Sequence, residues 1–495
     1  MRTNVSRRFF LSAAASSVAS AALANAPTTS LRPQVRPSKL AFASPEKLIA
    51  KANLNGKIEY AVVDMANGKI VESQRVASGL PPASVCKAVT ALYALDVLGE
   101  GHRFSTKLIA TGPIEQGVLK GDLILAGGGD PTLDTDALNA LSKGLKETGL
   151  NRIEGRFLVY GAGLPFIEAI DKEQPAHVGY SPAISGICLN YNRVFFDWKK
   201  SGNGYDVAME ARGETARPPV QVARMSLSDR RAPIFEYNAR EGRDFWSVSR
   251  RALNDKGGRW LPIRQPEIYA GETFAWLAKQ QGINLPNPQK TPSKPKGSVL
   301  GQRDSAPLST IVKGMLKYST NVTAEMVGLA ATLAREKYVT SLRGSGREMA
   351  VWAAENLGMT DAKFVDHSGL GDASRLHAEE LAKALAATHS HASIAPLLKA
   401  FTLKDSQGHP VKNSPIQVIA KTGTLNFVSG LGGYIQTESG QNLAFAVFTA
   451  DQERRAKLTR AQRERPPGAR SWNQRAKRLQ QALIERWVQM NAGSH

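Results

Sequence analysis

The stretch Pro81-Pro82-Ala83-Ser84-Val85-Cys86-Lys87-Ala88-Val89-Thr90 leaves the chain few choices. Two prolines fix an extended approach, and Val85, Ala88, Val89, Leu92, Leu95 and Leu98 then recur at helical spacing until Gly99 ends the run. Ser84 is thereby expected at a helix start. Lys87, three residues on, shares its face, so the lysine amine can reach the Ser84 hydroxyl while the Ser84 backbone N–H points away from the helix as a free donor. Spacing alone does not establish a site, because Ser-x-x-Lys recurs at Ser44 to Lys47 and Ser293 to Lys296. There, prolines and polar flanks predict no buried helix. What distinguishes Ser84 is the apolar helix behind it.

The length of 495 residues exceeds what one hydrophobic core usually holds, so two or three domains are expected. A formal charge of +21 suits nucleic acid, an anionic envelope surface or plain solubility. The N-terminus decides among these. Ser6-Arg7-Arg8-Phe9-Phe10-Leu11 is a twin-arginine element followed by an Ala/Ser-rich apolar stretch, which predicts an export signal over residues 1–24 and a periplasmic protein. The cut is placed after Ala24, since Pro27 directly follows the other small-residue site. The stretch is too short and too rich in serine for a membrane anchor, and no later segment is apolar enough to span a bilayer. An exported basic protein meets wall and envelope polymers, so nucleic acid is not expected as a partner. The two cysteines, Cys86 and Cys188, are read as small core residues, and no histidine stands at metal-ligand spacing from either.

After a linker over residues 25–44, Ile58 to Met65, the turn Asn67-Gly68 and Ile70 to Gln74 predict a hairpin leading into the Ser84 helix. From about residue 105 to 298 the character changes. Short alternating strands (Arg156 to Tyr160, Cys188 to Asp197, Tyr205 to Met209) predict a β-rich module, and the glycines of Gly121 to Leu133 lack the lysine or the helix that a phosphate loop needs. The proline-studded Leu285 to Lys296 reads as the chain returning to its first domain. Beyond Ala306 two amphipathic helices flank Ser319-Thr320-Asn321, where alternation puts Ser319 and Asn321 on one side. Asp366-His367-Ser368-Gly369-Leu370-Gly371 makes a turn before a helix from about His377. Pro415 to Ala420 is a strand running into Lys421-Thr422-Gly423-Thr424, and Val428 to Gln436, the turn Glu438-Ser439-Gly440 and Leu443 to Phe448 continue an antiparallel sheet. Gly423, without a Cβ, lets another chain or a ligand lie close along that strand. The arginine-rich loop from Arg454 to Arg465 is read as solvated surface, and Trp472 to Met490 as a helix whose apolar stripe packs on the sheet.

Ser-x-x-Lys at a helix start, Ser-x-Asn between helices and a strand-borne Lys-Thr-Gly, in that order, resemble the signature of penicillin-binding proteins and serine β-lactamases. Thr320 stands where that signature has Asp, at a position turned away from its neighbours. The long interval between the first two motifs resembles the class C low-molecular-mass penicillin-binding proteins, the D-alanyl-D-alanine carboxypeptidase/endopeptidase family. So do Gly121 to Leu133, Tyr180-Ser181-Pro182-Ala183, Leu189-Asn190-Tyr191-Asn192, and Asp366 with Ser368-Gly369-Leu370; His367 occupies a place where glycine is common, which leaves the shape of that turn open.

The resemblance implies an α/β serine β-lactamase/transpeptidase-like domain, an antiparallel sheet flanked by helices, formed from residues 45–104 and 299–492 with a β-rich insertion over 105–298. It implies Ser84 as nucleophile, Lys87 as its base, Ser319 and Asn321 as proton relay and substrate contact, and Lys421, Thr422, Gly423 and Thr424 as the substrate-binding strand. The backbone N–H groups of Ser84 and Thr424 would form the oxyanion hole. No cofactor and no metal are implied. The partners implied are peptidoglycan stem peptides and cross-links, with β-lactam antibiotics as covalent inhibitors. Two other functions share these residues: a serine β-lactamase, and a non-catalytic envelope-binding protein with the same fold.

Overall fold

The computed structural model describes residues 43–492, except 391, 406, 413, 415, 438, 439 and 441. The expected export signal (1–24) and all but the end of the linker lie outside the described residues, as do Glu438 and Ser439 of the expected turn and Pro415. A six-stranded antiparallel sheet organises the first lobe, in the spatial order Lys399–Ala400, Gln417–Leu425, Val428–Gln436, Asn442–Ala450, Lys57–Asp64, Ile70–Gln74. An early and a late segment of the chain meet inside it. Lys57–Asp64 runs antiparallel to Asn442–Ala450 from Lys57 opposite Ala450 to Asp64 opposite Leu443. Both central strands are buried on both faces, which explains why they read as nearly unbroken apolar runs rather than as alternation.

Each face of the sheet has its own cover. The C-terminal helix, Ala469–Ala492, lays Leu479, Leu483, Ile484 and Trp487 against Tyr60, Val62, Phe445 and Val447, as its stripe predicts. On the other face lie Ala378–Thr388 and the serine helix, Cys86–Leu98. The serine helix is buried all round from Cys86 to Ala94, because Leu308–Tyr318, Asn321–Ala334 and Leu342–Leu357 enclose it on the sides away from the sheet. A helix so enclosed is a rigid mount for whatever its first turn carries.

Residues between the first two motifs build a second lobe around its own core. Its main sheet runs Gln289–Thr291, Phe157–Tyr160, Leu123–Ala126, Ser105–Ala110, Ser298–Asp304, with parallel and antiparallel pairs mixed. Helices Thr135–Glu147 and Pro266–Gln280 pack on it, so the insertion is β-rich but not all-β. Three three-stranded sheets extend it among the described residues. Ser298–Asp304 pairs with Ser105–Ala110 along its length, so the chain leaves this lobe beside the point where it came in. We therefore propose the far boundary after Asp304 rather than at 298.

Two local expectations need correction, and one needs an addition. Ser44 is followed by no buried helix, as expected, but by a helix of which only Pro45 is buried, Pro45–Ala52: the serine hydroxyl accepts from Lys47 N, and a proline at the first helical position costs nothing because its missing N–H would have no partner there. Cys188 to Asp197 is not one strand. Asn190, Tyr191 and Asn192 all take positive φ (52°, 58° and 50°) in a turn held by the Asn190 amide on Thr135 Oγ1 and Tyr269 Oη, and the strand begins at Arg193. The Lys-Thr-Gly strand starts at Gln417 and runs unbroken to Leu425, so the motif is interior to a strand. Cys86 and Cys188 are buried free thiols, as read. Among the described residues no helix is long and apolar enough to cross a membrane.

Candidate active site

Ser84 sits in a 3-10 turn, Ala83–Val85, that feeds directly into the serine helix. The preceding Ala83 is held at φ 47°, a left-handed conformation that costs a residue with a Cβ on the order of 1 kcal/mol. Such strain persists only where surrounding packing imposes it. Here the packing comes from the neighbouring strand: a Cβ on Gly423 would stand 2.7 Å from Pro82 O and 3.0 Å from Ser84 N, so only glycine lets the Lys-Thr-Gly strand lie along the serine turn.

One turn on, Lys87 is fully buried, and its Nζ has three neighbours: Ser84 Oγ at 3.0 Å, Asn321 Oδ1 at 2.8 Å and the Ser368 carbonyl at 2.7 Å. The last two can only accept. A neutral amine has two hydrogens and one lone pair, so with both hydrogens donated to Asn321 and Ser368 the lone pair is left facing the serine hydroxyl. Burial favours that form, pulling the Lys87 pKa down to about 8 against the opposing pull of the buried Glu325 and Asp366.

Those carboxylates shape the turn at 366–371. Glu325 accepts the backbone N–H groups of His367 and Ser368, both at 2.9 Å, and Asp366 accepts those of Gly369 and Gly371 at 2.8 and 2.6 Å. Together they aim the Ser368 carbonyl at Lys87. Burial raises the pKa of both acids, Glu325 to about 8. The histidine in this turn fits because Gly328 leaves room for it: a Cβ there would lie 2.2 Å from the His367 ring. His367 is buried, with Nε2 2.7 Å from Ser345 Oγ, and burial depresses its pKa to about 3, so it is a neutral packing residue.

Ser319 occupies the left-handed connection (φ 59°) between Leu308–Tyr318 and Asn321–Ala334, and its hydroxyl accepts from Lys421 Nζ at 3.0 Å. Asn321 is held from both ends: Oδ1 accepts a hydrogen bond from Lys87 Nζ, and Nδ2 donates to the Tyr180 carbonyl of the second lobe at 3.0 Å. Lys421 also donates to Thr422 O at 2.8 Å, and burial with the nearby Lys87 lowers its pKa to about 7. The structure thus brings Ser84, Lys87, Ser319, Asn321, Lys421, Gly423 and Thr424 together. Thr422 is exposed and, by strand alternation, shares its face with Thr424, which lines the cleft, while its carbonyl accepts from Lys421.

The cleft over Ser84 has a volume of about 310 Å³. The outer neighbour of the Lys-Thr-Gly strand pairs with Ile419 and Ala420 and continues with Phe401 N on Val418 O, so from Lys421 onward that edge has no strand partner among the described residues and can take an extended peptide. The remaining lining corrects the reading of the arginine loop. Arg455 and Arg463 reach the cleft wall; Arg455 is buried, with Nε donating to Asp372 at 2.8 Å and Nη1 to the Asn426 carbonyl at 3.0 Å, while Arg463 lies 3.7 Å from the same aspartate. Gln174 and Tyr180 come in from the second lobe. Sequence reasoning missed these because the partners lie far apart in the chain and neither periodicity nor a local motif joins them.

The sequence profile of the D-Ala-D-Ala carboxypeptidase 3 (S13) family matches residues 43–465. The D-alanyl-D-alanine carboxypeptidase of Actinomadura sp. (strain R39) is 26% identical over 420 residues, covering 78% of this chain and 76% of the relative. The D-alanyl-D-alanine carboxypeptidase DacB of Haemophilus influenzae is 24% identical over 422 residues, covering 81% and 87%. The crystal structure of penicillin binding protein 4 (dacB) from Haemophilus influenzae superposes with a TM-score of 0.71 at 20% identity, over 90% of this chain and all of that one, which shows a shared fold.

Proposed function

This chain belongs to the D-Ala-D-Ala carboxypeptidase 3 (S13) family, and from that premise we propose how it works: as a serine-type D-alanyl-D-alanine carboxypeptidase that acts on peptidoglycan stem peptides and is acylated by penicillin. The observation that carries the assignment of residues is the Lys87 amine, 3.0 Å from Ser84 Oγ with its other two polar neighbours restricted to accepting. Ser84 attacks the carbonyl of the penultimate D-alanine, and Lys87 takes the hydroxyl proton. Charge developing on the carbonyl oxygen is met by the backbone N–H groups of Ser84 and Thr424, a pairing supported by the close approach of the Gly423 strand to Ser84 N. The proton passes to the leaving amine by way of the Ser319 hydroxyl, which Lys421 holds, while Asn321, held by Lys87, contacts the substrate amide. Water then cleaves the acyl-enzyme. Lys421 and Thr424 hold the terminal carboxylate; that anion restores the charge on a lysine whose pKa is low only while it has no partner.

In a cross-link of the meso-diaminopimelate type a free carboxylate also stands beside the scissile amide, so the same anchor serves endopeptidase cleavage. A β-lactam presents its carboxylate and strained amide in the same relation. Export to the periplasm by the twin-arginine route, supported by Arg7-Arg8 and the apolar stretch after them, completes the reading. The test is incubation of the purified protein with fluorescent penicillin beside a D-Ala-D-Ala pentapeptide. A persistent adduct on Ser84 with release of D-alanine is expected. Rapid turnover of the penicillin would instead make it a β-lactamase, and no label at all a binding protein.

A further inference from the structure

The segment 452–478 runs from the last sheet strand around the cleft and into the C-terminal helix, and it carries ten lysines and arginines against two glutamates, Glu453 and Glu464. Two of the cations, Arg455 and Arg463, are part of the cleft wall. Arg460 reaches across to the second lobe, donating from Nε to Gln174 O at 2.8 Å, and Glu464 approaches His177 of that lobe at 3.3 Å. The segment is therefore fixed over the mouth from both sides. Lys457, Arg465, Arg470 and Lys477 have no such task. All four are exposed, and among the described residues none has a carboxylate within ion-pair distance. Their placement follows from helix geometry. Asn473 lines the cleft and donates to the Leu425 carbonyl at the end of the Lys-Thr-Gly strand, at 3.0 Å; Arg470 and Lys477, three residues before it and four after, share its helix face.

The geometry points to a polymer-docking rim: Lys457, Arg465, Arg470 and Lys477 bind the carboxylates of stem peptides that neighbour the one seated in the cleft. This rests on the substrate assigned above. A stem peptide reaches the enzyme as one of many on a polymer, each carrying free carboxylates, and seating one lays its neighbours across the mouth. Unpaired exposed cations at that place raise the local concentration of such a polyanion and speed productive encounters, while adding little for one small peptide that fits wholly inside. The attraction acts over a screening length of about 8 Å at physiological salt, so it fades as salt rises.

The test uses the full chain with the four residues changed together, Lys457→Gln, Arg465→Gln, Arg470→Gln and Lys477→Gln, and purified peptidoglycan freed of phosphate polymers as the probe. In a Ser84→Ala background, which cannot cleave, co-sedimentation at low salt should weaken about tenfold, and the difference from the parent should close as salt is raised. In the active background, turnover of a single soluble pentapeptide should stay within about twofold of the parent, since these side chains lie outside the cleft. Equal sedimentation of parent and variant would overturn the proposal. So would parent binding that ignores salt, binding only to preparations that retain phosphate polymers, or an equal loss on the soluble peptide. If the parent itself neither cleaves the pentapeptide nor takes up penicillin, the assigned activity fails, while sedimentation still decides the rim.

Discussion

The floor of the cleft and its rim are built from the same residue types and use them in opposite ways. On the floor, Lys87, Glu325 and Asp366 are fully buried, and every contact named above for the two acids is a backbone N–H. On the rim, Lys457, Arg465, Arg470 and Lys477 are exposed and have no ion-pair partner among the described residues. A buried lysine becomes a base because burial lowers the pH at which it gives up its proton, whereas an exposed cation can only attract. Lys421 stands between the two, buried itself but bonded to Ser319, which lines the cleft. Chemistry on the floor and recognition at the edge are thus separable by mutation.

The largest effect is expected on the floor. Ser84→Ala removes one hydroxyl from a turn whose backbone is fixed by its neighbours, so penicillin labelling should vanish while the thermal midpoint moves little. Label appearing at another serine would show the wrong nucleophile. Glu325→Ala strands two buried backbone N–H groups and releases the turn that holds Ser368 against Lys87. Unfolding free energy should fall by about 3 kcal/mol in a denaturant titration, with the acylation rate falling with it. Unchanged acylation in a folded Glu325→Ala protein would mean that Lys87 does not depend on that turn.

At the edge, Lys421→Met should separate binding from chemistry. Turnover of a substrate with a free terminal carboxylate should drop by about 2 kcal/mol or more relative to its amide. Equal losses for acid and amide would place Lys421 in the reaction or the fold.

How much of this was legible in the sequence follows the same division. Ser84 and Lys87 could be placed because one helical turn fixes their relation. Gly423 could be, because a glycine inside an apolar strand asks what lies against it. Contacts between distant segments could not: the Tyr180 carbonyl meets Asn321 from 141 residues away, and Arg455 finds Asp372 from 83. The edge strand Ser298–Asp304, mostly exposed, has no apolar alternation to show that it closes the second lobe. The helix at Pro45–Ala52 was hidden by its own start, since Ser-Pro reads as a turn until a capped helix is considered.

The smallest effect, and the sharpest on the comparison, is a shift in pH dependence. Acylation of the free enzyme needs Lys87 neutral and Lys421 charged. Lys87 loses its proton near pH 8 and Lys421 near pH 7, so the required pair of states is never the majority one. Its population rises as pH climbs to about 7, is level to about 8 and falls beyond. The profile of kcat/KM for the acid substrate should therefore be a bell centred between those values, and since both groups contribute to each limb through this reversed order, neither limb alone identifies either lysine. Two comparisons do. A bound carboxylate favours the charged form of Lys421, so the alkaline limb of kcat should lie above that of kcat/KM. With Lys421→Met the requirement for a charged partner disappears, and the rate should keep rising to a plateau set by Lys87 alone. The half-rise of that curve should lie at about pH 8 or a little above, because removing a cationic neighbour favours the charged form of Lys87; a variant that still falls off above pH 8 would show that the alkaline limb belongs to another group, and that Lys421 is not the link between floor and rim.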